Sequence, residues 1–473
     1  MGRQLRYAWI WPAAFVVSGC AVGPRYTEPE TPPIVLASPP VGVVLPTVGS
    51  FEAMPARWWV FFKDEGLTQW VDAALAHNYD IRRARANLLA ARAIFDERQL
   101  DRLPGVTSAA GYTRSLSQQP GGGGPPVRTL SESWQAGFDV RWEIDLFGRL
   151  DRLSRSAMAY AEASQAELEL ARLSVAAEVA RVWFEAQGIQ RQLEVAEQEA
   201  DSWRETVSLA EAALRAGAGL PEEVENARTN LLHSEAAIPT LTTALQKARY
   251  RLDVLAGRRP GQGLADPAAL SAAPHALQLP VGDADRLIRR RPDVVRAERL
   301  LAASVENVGA ATADLYPRLN LGGFIGFFAL RGGDLGSAAS RAFEFAPGLS
   351  WPALRLGNAR ARLRGAEAIS QGAFAGYEQT LLRAQEDVEN AVTELIGHQR
   401  HLALLLKSAR HAQAAFEIAD KRYRVGTGRY QAVLENQRAL FQTKQRIAQA
   451  ETASYLHVVA LYKALGWGAG QPV

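Results

Sequence analysis

From Gly148 to Arg215 the chain runs for about 68 residues without a proline, with apolar residues recurring at helical spacing. At 1.5 Å per residue such a helix is on the order of 100 Å long. No compact domain buries a helix of that length, so a coiled coil or a helical barrel is expected. The pattern breaks at Arg215-Ala216-Gly217-Ala218-Gly219-Leu220-Pro221, and a second helical run returns from Pro221 to about Ala256. Two glycines between a long helix and a shorter one read as the tip of a helical hairpin. Pro221 falls in the first turn, where its missing N–H costs nothing, whereas Pro239 is expected to bend the returning helix.

The tip has a twin. Arg424-Val425-Gly426-Thr427-Gly428-Arg429-Tyr430 repeats it at a spacing of 209 (424 − 215), with Val224 answering to Val433 and Leu231 to Leu440. Upstream, Asp80, Arg83, Leu88 and Pro104 recur as Asp293, Arg296, Leu301 and Pro317 at a spacing of 213 (293 − 80). The repeat predicts two halves, 66–256 and 283–473, joined by a Gly- and Pro-rich link at 257–282. Each half reads as helix, strand hairpin, very long helix, tip and helix. The hairpins are expected at about 105–145 and 318–351, and the tips at 215–221 and 424–430. The change of spacing from 213 to 209 places a four-residue difference between the paired strands, where a loop tolerates it.

The clearest period of two lies at Trp134, Ala136, Phe138, Val140, Trp142 and Ile144, alternating with Gln135, Gly137, Asp139, Arg141, Glu143 and Asp145. Aromatics near both ends of an apolar face are what a membrane strand places at the two interfaces. Phe343, Phe345, Leu349 and Trp351 share a face in the second half. Between the first two strands, Gln118 to Pro126 with its four glycines reads as a flexible loop. It is no phosphate cradle, because Pro-Pro follows the glycines where Gly-Lys-Ser/Thr would be needed. Four strands cannot close a membrane barrel alone, so the chain is expected to oligomerise.

Arg3 and Arg6 precede a short apolar run and then Val17-Ser18-Gly19-Cys20, the layout of a secretory signal at 1–19. That ending resembles the lipobox of bacterial lipoproteins, which implies cleavage before Cys20 and acylation of it, palmitate included. Ala21 in place of Asp favours delivery to the outer membrane. Residues 20–65 read as a lipid-anchored strap, proline-rich to about residue 50, with Trp58-Trp59-Val60-Phe61-Phe62 as a packing anchor. Cys20 is the only cysteine, which leaves no disulfide and no cysteine metal site. The net charge of +3 comes from interleaved charges without a basic stripe, which argues against nucleic acid. Arg289-Arg290-Arg291 reads as a solvated helix end. His398 and His401 could share a helix face, but with no HExxH context they read as solvated histidines. No nucleophile elbow or dinucleotide fingerprint occurs, and neither an enzyme nor a cofactor is expected.

The lipobox followed by Ala21-Val22-Gly23-Pro24 and Tyr26, the run Arg291-Pro292-Asp293-Val294 leading to Ala297-Glu298, Leu315-Tyr316-Pro317 and both Gly-rich tips together resemble the outer membrane factor family, TolC-like, in its NodT-like lipoprotein efflux branch. The likeness covers essentially the whole chain. It implies a mixed α and β membrane protein: a homotrimer with a twelve-stranded outer-membrane barrel, four strands per chain, continued by a periplasmic α-helical barrel. It also implies a tripartite efflux pump, with a periplasmic adaptor and a proton-driven inner-membrane transporter, for which this chain is the exit duct. A type I protein secretion channel is the alternative. A coiled-coil scaffold would have no reason for the Trp134–Ile144 alternation, and a plain porin none for helices of this length.

By that resemblance the tips meet the adaptor through Arg215, Gly217, Gly219, Arg424, Gly426 and Gly428. Glu223, Tyr423 and Glu435 match the acids and the tyrosine that close such channels at the periplasmic end. The sequence departs from that pattern at Ala432 and Gly428, where a second acid and an arginine can stand. Trp134, Phe138, Trp142, Phe343 and Trp351 are the expected membrane-strand aromatics.

Overall fold

The computed structural model describes residues 21–30, 57–121, 124–268, 284–466 and 468. The signal segment, Cys20, most of the strap and residues 269–282 of the link lie outside them. Eight α-helices and four strands follow in order: α1 Glu65–His77, α2 Tyr79–Leu100, β1 Gly105–Gly121, β2 Gly124–Ile144, α3 Arg149–Arg215, α4 Pro221–Leu255, α5 Ala284–Arg289, α6 Pro292–Ala313, β3 Arg318–Ala329, β4 Arg341–Ser350, α7 Leu356–Arg424 and α8 Tyr430–Ala464. The long helices have 67 and 69 residues, so each is roughly 100 Å long. Pro239 lies inside α4, which is one continuous helix. The described residues fall into two compact units. Of these residues one unit draws on 21–30, 87–165 and 296–378, the other on 57–86, 166–295 and 379–468.

The first unit holds one antiparallel sheet in the order β1-β2-β3-β4. Where a loop is expected at Gln118 to Pro126 the described residues are strand: β1 runs to Gly121, β2 starts at Gly124, and Gln118 pairs with Arg128, with Gly122 and Gly123 outside the described residues. Ladder hydrogen bonds offset what the glycines cost there. The segment 21–30 is tied to the same unit. Val22 N–H donates to the Phe147 carbonyl (3.2 Å), and the Tyr26 hydroxyl bonds Glu298. Buried Arg152 pairs with Glu306 at 2.8 Å and donates to the carbonyls of Val22 and Gly23. The Ala21–Tyr26 motif therefore has a packing role in this unit.

The second unit is packed along α3 and α8. Phe184 stacks on Tyr455 with ring centroids 4.6 Å apart, and Phe62 and Trp58 pack on Tyr462. Trp58 and Trp59 are buried, which is the anchor role expected of that cluster. Gly188 of α3 sits so close to α8 that a side chain there would overlap Thr452. Asp64 accepts from Leu67 N–H as the N-cap of α1, and also from the Trp183 indole and the Gln187 amide. Arg291 is not the solvated residue expected. It is buried and donates to the carbonyls of Ala464 (2.7 Å) and Ala384, and to Asp293 and Asp387. The unpaired carbonyls at the end of α8 recruit its guanidinium.

Candidate functional site

Two regions carry the functional reading, and the sheet is the first. Cross-strand partners share a face, so the register sorts the strands without ambiguity. Trp134, Ala136, Phe138, Val140, Trp142 and Ile144 stand opposite Ala329, Phe327, Ile325, Gly323, Leu321 and Leu319. Ile325, Gly323, Leu321 and Leu319 in turn face Phe343, Phe345, Pro347 and Leu349. The other face carries Gln135, Asp139, Arg141, Glu143, Asn320 and Glu344. On β2, β3 and β4 one face is thus apolar from Trp134 to Ile144, and the other is mixed, with Phe324 and Phe328 standing among its polar residues. On the apolar side Phe343 is 84% exposed in the single chain, with Ile325, Phe345 and Leu349 also largely exposed.

Aromatics bound this apolar band. Tyr112 lies against Trp134 with centroids 4.3 Å apart. At the helix-linked end the Trp142 indole donates to the Arg102 carbonyl (2.9 Å) and the Trp351 indole to the Leu315 carbonyl (3.0 Å). Trp351 stands one residue beyond β4. The two tryptophans are 209 apart (351 − 142) and their acceptors 213 (315 − 102), so both repeats make one contact: a ring in the band, an N–H on the end of the preceding helix. From Trp134 to Trp142 the strand covers roughly 27 Å, or roughly 21 Å of depth at a membrane strand's tilt of about 40°, which fits within the usual apolar band of about 25 Å.

The tips are the second region. Gly217 N–H donates to the Leu214 carbonyl and Ala218 N–H to the Ala213 carbonyl; Gly426 and Thr427 do the same to Tyr423 and Arg422. Both are Schellman turns, with φ of +72° at Gly217 and +76° at Gly426. The second glycine of each tip serves packing: a Cβ on Gly428 would lie 2.9 Å from the Tyr423 nitrogen, and one on Gly219 3.0 Å from the Leu214 nitrogen. Arg215 and Arg424 are exposed and, among the described residues, pair within their own helices, with Glu211 (3.9 Å) and Asp420 (2.8 Å). Such exposed pairs are worth less than about 1 kcal/mol, so both guanidiniums can exchange partners at little cost.

The gate residues expected below the tips fall into different environments. Glu223 accepts from Leu220 N–H at 3.1 Å, which closes the first turn of α4. Half-buried Tyr423 packs on Tyr430 at 5.2 Å, and burial first, then the charge of Glu223, pushes its hydroxyl upward in pKa. Glu435 is exposed and accepts from the Gln431 amide at 2.9 Å.

Sequence reasoning passed over the residues that hold this region. Tyr430 is buried, and its hydroxyl donates to the Thr206 carbonyl of α3 at 3.1 Å. Gln437 is wholly buried and joins the Ser202 hydroxyl (2.8 Å) and the Thr206 hydroxyl (3.2 Å). Arg438 donates to Asn230 at 2.6 Å, and Trp203, Ala210, Val224 and Leu434 complete the cluster. The signal was readable. Tyr430, Val433, Leu434, Gln437, Leu440 and Phe441 form one helical stripe, and Gln437 is the polar residue standing in it. Of the two histidines expected to be solvated, His401 is exposed, whereas His398 is half-buried, bonds the Ala450 carbonyl at 2.7 Å and packs on His457 at 4.9 Å.

Known proteins share both the sequence and this fold. The family model for outer membrane efflux protein matches residues 70–258 and 284–467. The solvent efflux pump outer membrane protein SrpC of Pseudomonas putida is 29% identical over 462 residues, 96% of this chain and 97% of that protein. Nodulation protein T of Rhizobium leguminosarum bv. trifolii is 29% identical over 446 residues, 92% of each. A solved structure of the outer-membrane channel OprN superimposes with a TM-score of 0.89 at 38% identity, covering 95% of this chain and 99% of that one. The mixed α and β fold, four strands per chain for a trimeric barrel continued by long helices, is the class expected from the sequence. With most of its length matched, from Trp70 in α1 to the end of α8, this chain belongs to the outer membrane efflux protein family.

Proposed function

We propose that this chain is the exit duct of a tripartite efflux pump, working with a periplasmic adaptor and a proton-driven inner-membrane transporter. It assembles as a homotrimer whose twelve strands close one outer-membrane barrel. The observation that carries this reading is the sheet, with one apolar face and two edge strands, β1 and β4. In lipid every strand edge must be paired, and four strands are too few to close. Leu89 and Ile94 on α2 and Ile369, Leu382 and Leu404 on α7 are exposed in the single chain, and neighbouring copies would cover such a surface. SrpC is named for solvent efflux, and small organic molecules are the cargo class this suggests.

Within that reading Cys20 carries the lipid that holds the N-terminus at the outer membrane. The tip residues Arg215, Gly217, Gly219, Arg424, Gly426 and Gly428 meet the adaptor, and Glu223, Tyr423 and Glu435 narrow the duct below them. Light scattering on detergent-purified protein tests the assembly: a trimer mass is expected, and a monomer would sink the reading. For the gate, Glu435→Ala should raise single-channel conductance in planar bilayers; unchanged conductance would remove Glu435 from it.

A further inference from the structure

We propose that the outward rim of the sheet, through Arg114, Arg128 and Arg341, holds phosphate-bearing lipid headgroups of the outer leaflet; the proposal rests on the membrane-barrel reading above. The register puts all three on the apolar face. Arg341 stands opposite Phe327, two residues before Phe343. Arg114 pairs with Glu132, two positions beyond the Tyr112–Trp134 aromatic pair, and Arg128 faces Gln118 further out. An arginine on a lipid-facing surface is costly at mid-depth and nearly free at the interface. Arg341 therefore belongs at the headgroup level, its stem along the apolar face and its charge turned outward.

The two ends of the sheet differ in how their cations are paired. At the helix-linked end Arg102 meets Asp151 (3.3 Å), Arg149 meets Glu143 (2.7 Å) and Arg318 meets Asp314 (2.5 Å), and Arg141, on the opposite face from the apolar band, has no carboxylate partner among the described residues. At the far end Arg114 has Glu132 at 3.3 Å, a pair largely open to solvent. Arg128 and Arg341 are exposed and have no carboxylate partner among the described residues. The far end thus carries uncompensated positive charge directly beyond an apolar band. That combination complements a lipid with an anionic head and apolar tails.

Closure of the barrel concentrates the charge. β1 and β4 are the edges, so β4 of one copy lies beside β1 of the next, about 4.8 Å away in the hydrogen-bonding direction. Arg341 is the first residue of β4, and Arg114 lies just beyond the Tyr112–Trp134 aromatic pair on β1; both are on the outward face of the two strands that form the seam. Planar guanidinium forks match phosphate oxygens bidentately, and two from different copies can hold one phosphate between them.

The test uses full-length protein in nanodiscs of phosphatidylcholine doped with either bis-phosphorylated lipid A or its dephosphorylated form. Lipid A retained per trimer is read by native mass spectrometry. Wild type should retain the phosphorylated form about tenfold over the other, and R114Q/R128Q/R341Q should lose that preference. Equal retention by wild type and the triple variant overturns the proposal, as does retention indifferent to phosphate. Inorganic phosphate that displaces the lipid at equal concentration overturns it too, because the site would then take a free anion. If the triple variant does not insert, Arg341→Gln alone is compared, with the same readings. Failure of the membrane-barrel reading looks different: wild type would enter neither kind of nanodisc.

Discussion

The two helical tips share one turn and differ in how the returning helix begins. Both end their long helix in a Schellman turn with glycine at the same two places. The first then starts α4 with Glu223 at the third helical position, accepting from the Leu220 N–H. The second has Ala432 at that place (223 + 209), and no side chain caps α8. What α8 lacks locally it gains from α3, through Tyr430 to Thr206 and Gln437 to Ser202 and Thr206. A side-chain acceptor within the first turn holds the start of a helix locally, whereas a helix start held by a neighbour depends on that neighbour staying in place. The second tip is accordingly the one whose position answers to packing.

The largest way to break this comparison is at Gln437. Gln437→Leu leaves the Ser202 and Thr206 hydroxyls without their shared partner in a buried seam, for a loss of about 2 kcal/mol. Thermal melts of the purified protein should fall, and hydrogen exchange should rise in α8 near the tip while α4 stays protected. Equal exchange in both helices would mean the tips are held alike. Tyr430→Phe removes one hydrogen bond but keeps the ring on Tyr423, so about 1 kcal/mol is expected, again with exchange confined to α8.

Smaller changes exchange the two designs. Glu223→Ala should loosen the first turn of α4 by about 0.5–1 kcal/mol, and Ala432→Glu should tighten that of α8 by a few tenths of a kcal/mol. If Ala432→Glu leaves exchange at the α8 start unchanged, the missing acid is not what separates the tips. The smallest effect lies further along the second hairpin, at His457. Burial, then the neighbouring His398, holds its pKa below the ordinary 6.5, while Glu394 at 3.4 Å pulls the other way and His401 lies beyond His398. The unfolded chain therefore binds that proton more tightly. Stability should be full above pH 6.5 and decline as pH falls through the folded-state value. His457→Gln should flatten melting temperatures measured between pH 7.5 and 5.5, and an unaltered slope would assign the dependence to other groups.

Much of this was legible in residue patterns. The long helices, the tips and the strands announced themselves through periods of 3.6 and 2 and through glycine pairs, all of which are local. The Gln118–Pro126 misreading has the same origin. Four glycines carry no pattern of their own, and strand pairing across the hairpin decided the conformation of the residues on either side, Gly121 and Gly124 included. Arg291 was misread because three adjacent arginines look solvated until Ala464, Ala384 and Asp387 are known to surround the third. Gln437 was visible as the polar member of an apolar stripe, yet its partners lie 231 and 235 residues away.

By itself the sequence determined which elements form, that the chain is built twice, and that one strand face is apolar. These follow from side-chain chemistry read at intervals of two to four residues. Only the tertiary structure decided which of two near-identical tips stands on its own. It also decided that Arg128 and Arg341 have no carboxylate partner among the described residues, while Arg102, Arg149 and Arg318 at the other end each have one. Both depend on which residues meet across hundreds of positions, and nothing in the local pattern of a chain encodes a partner that remote.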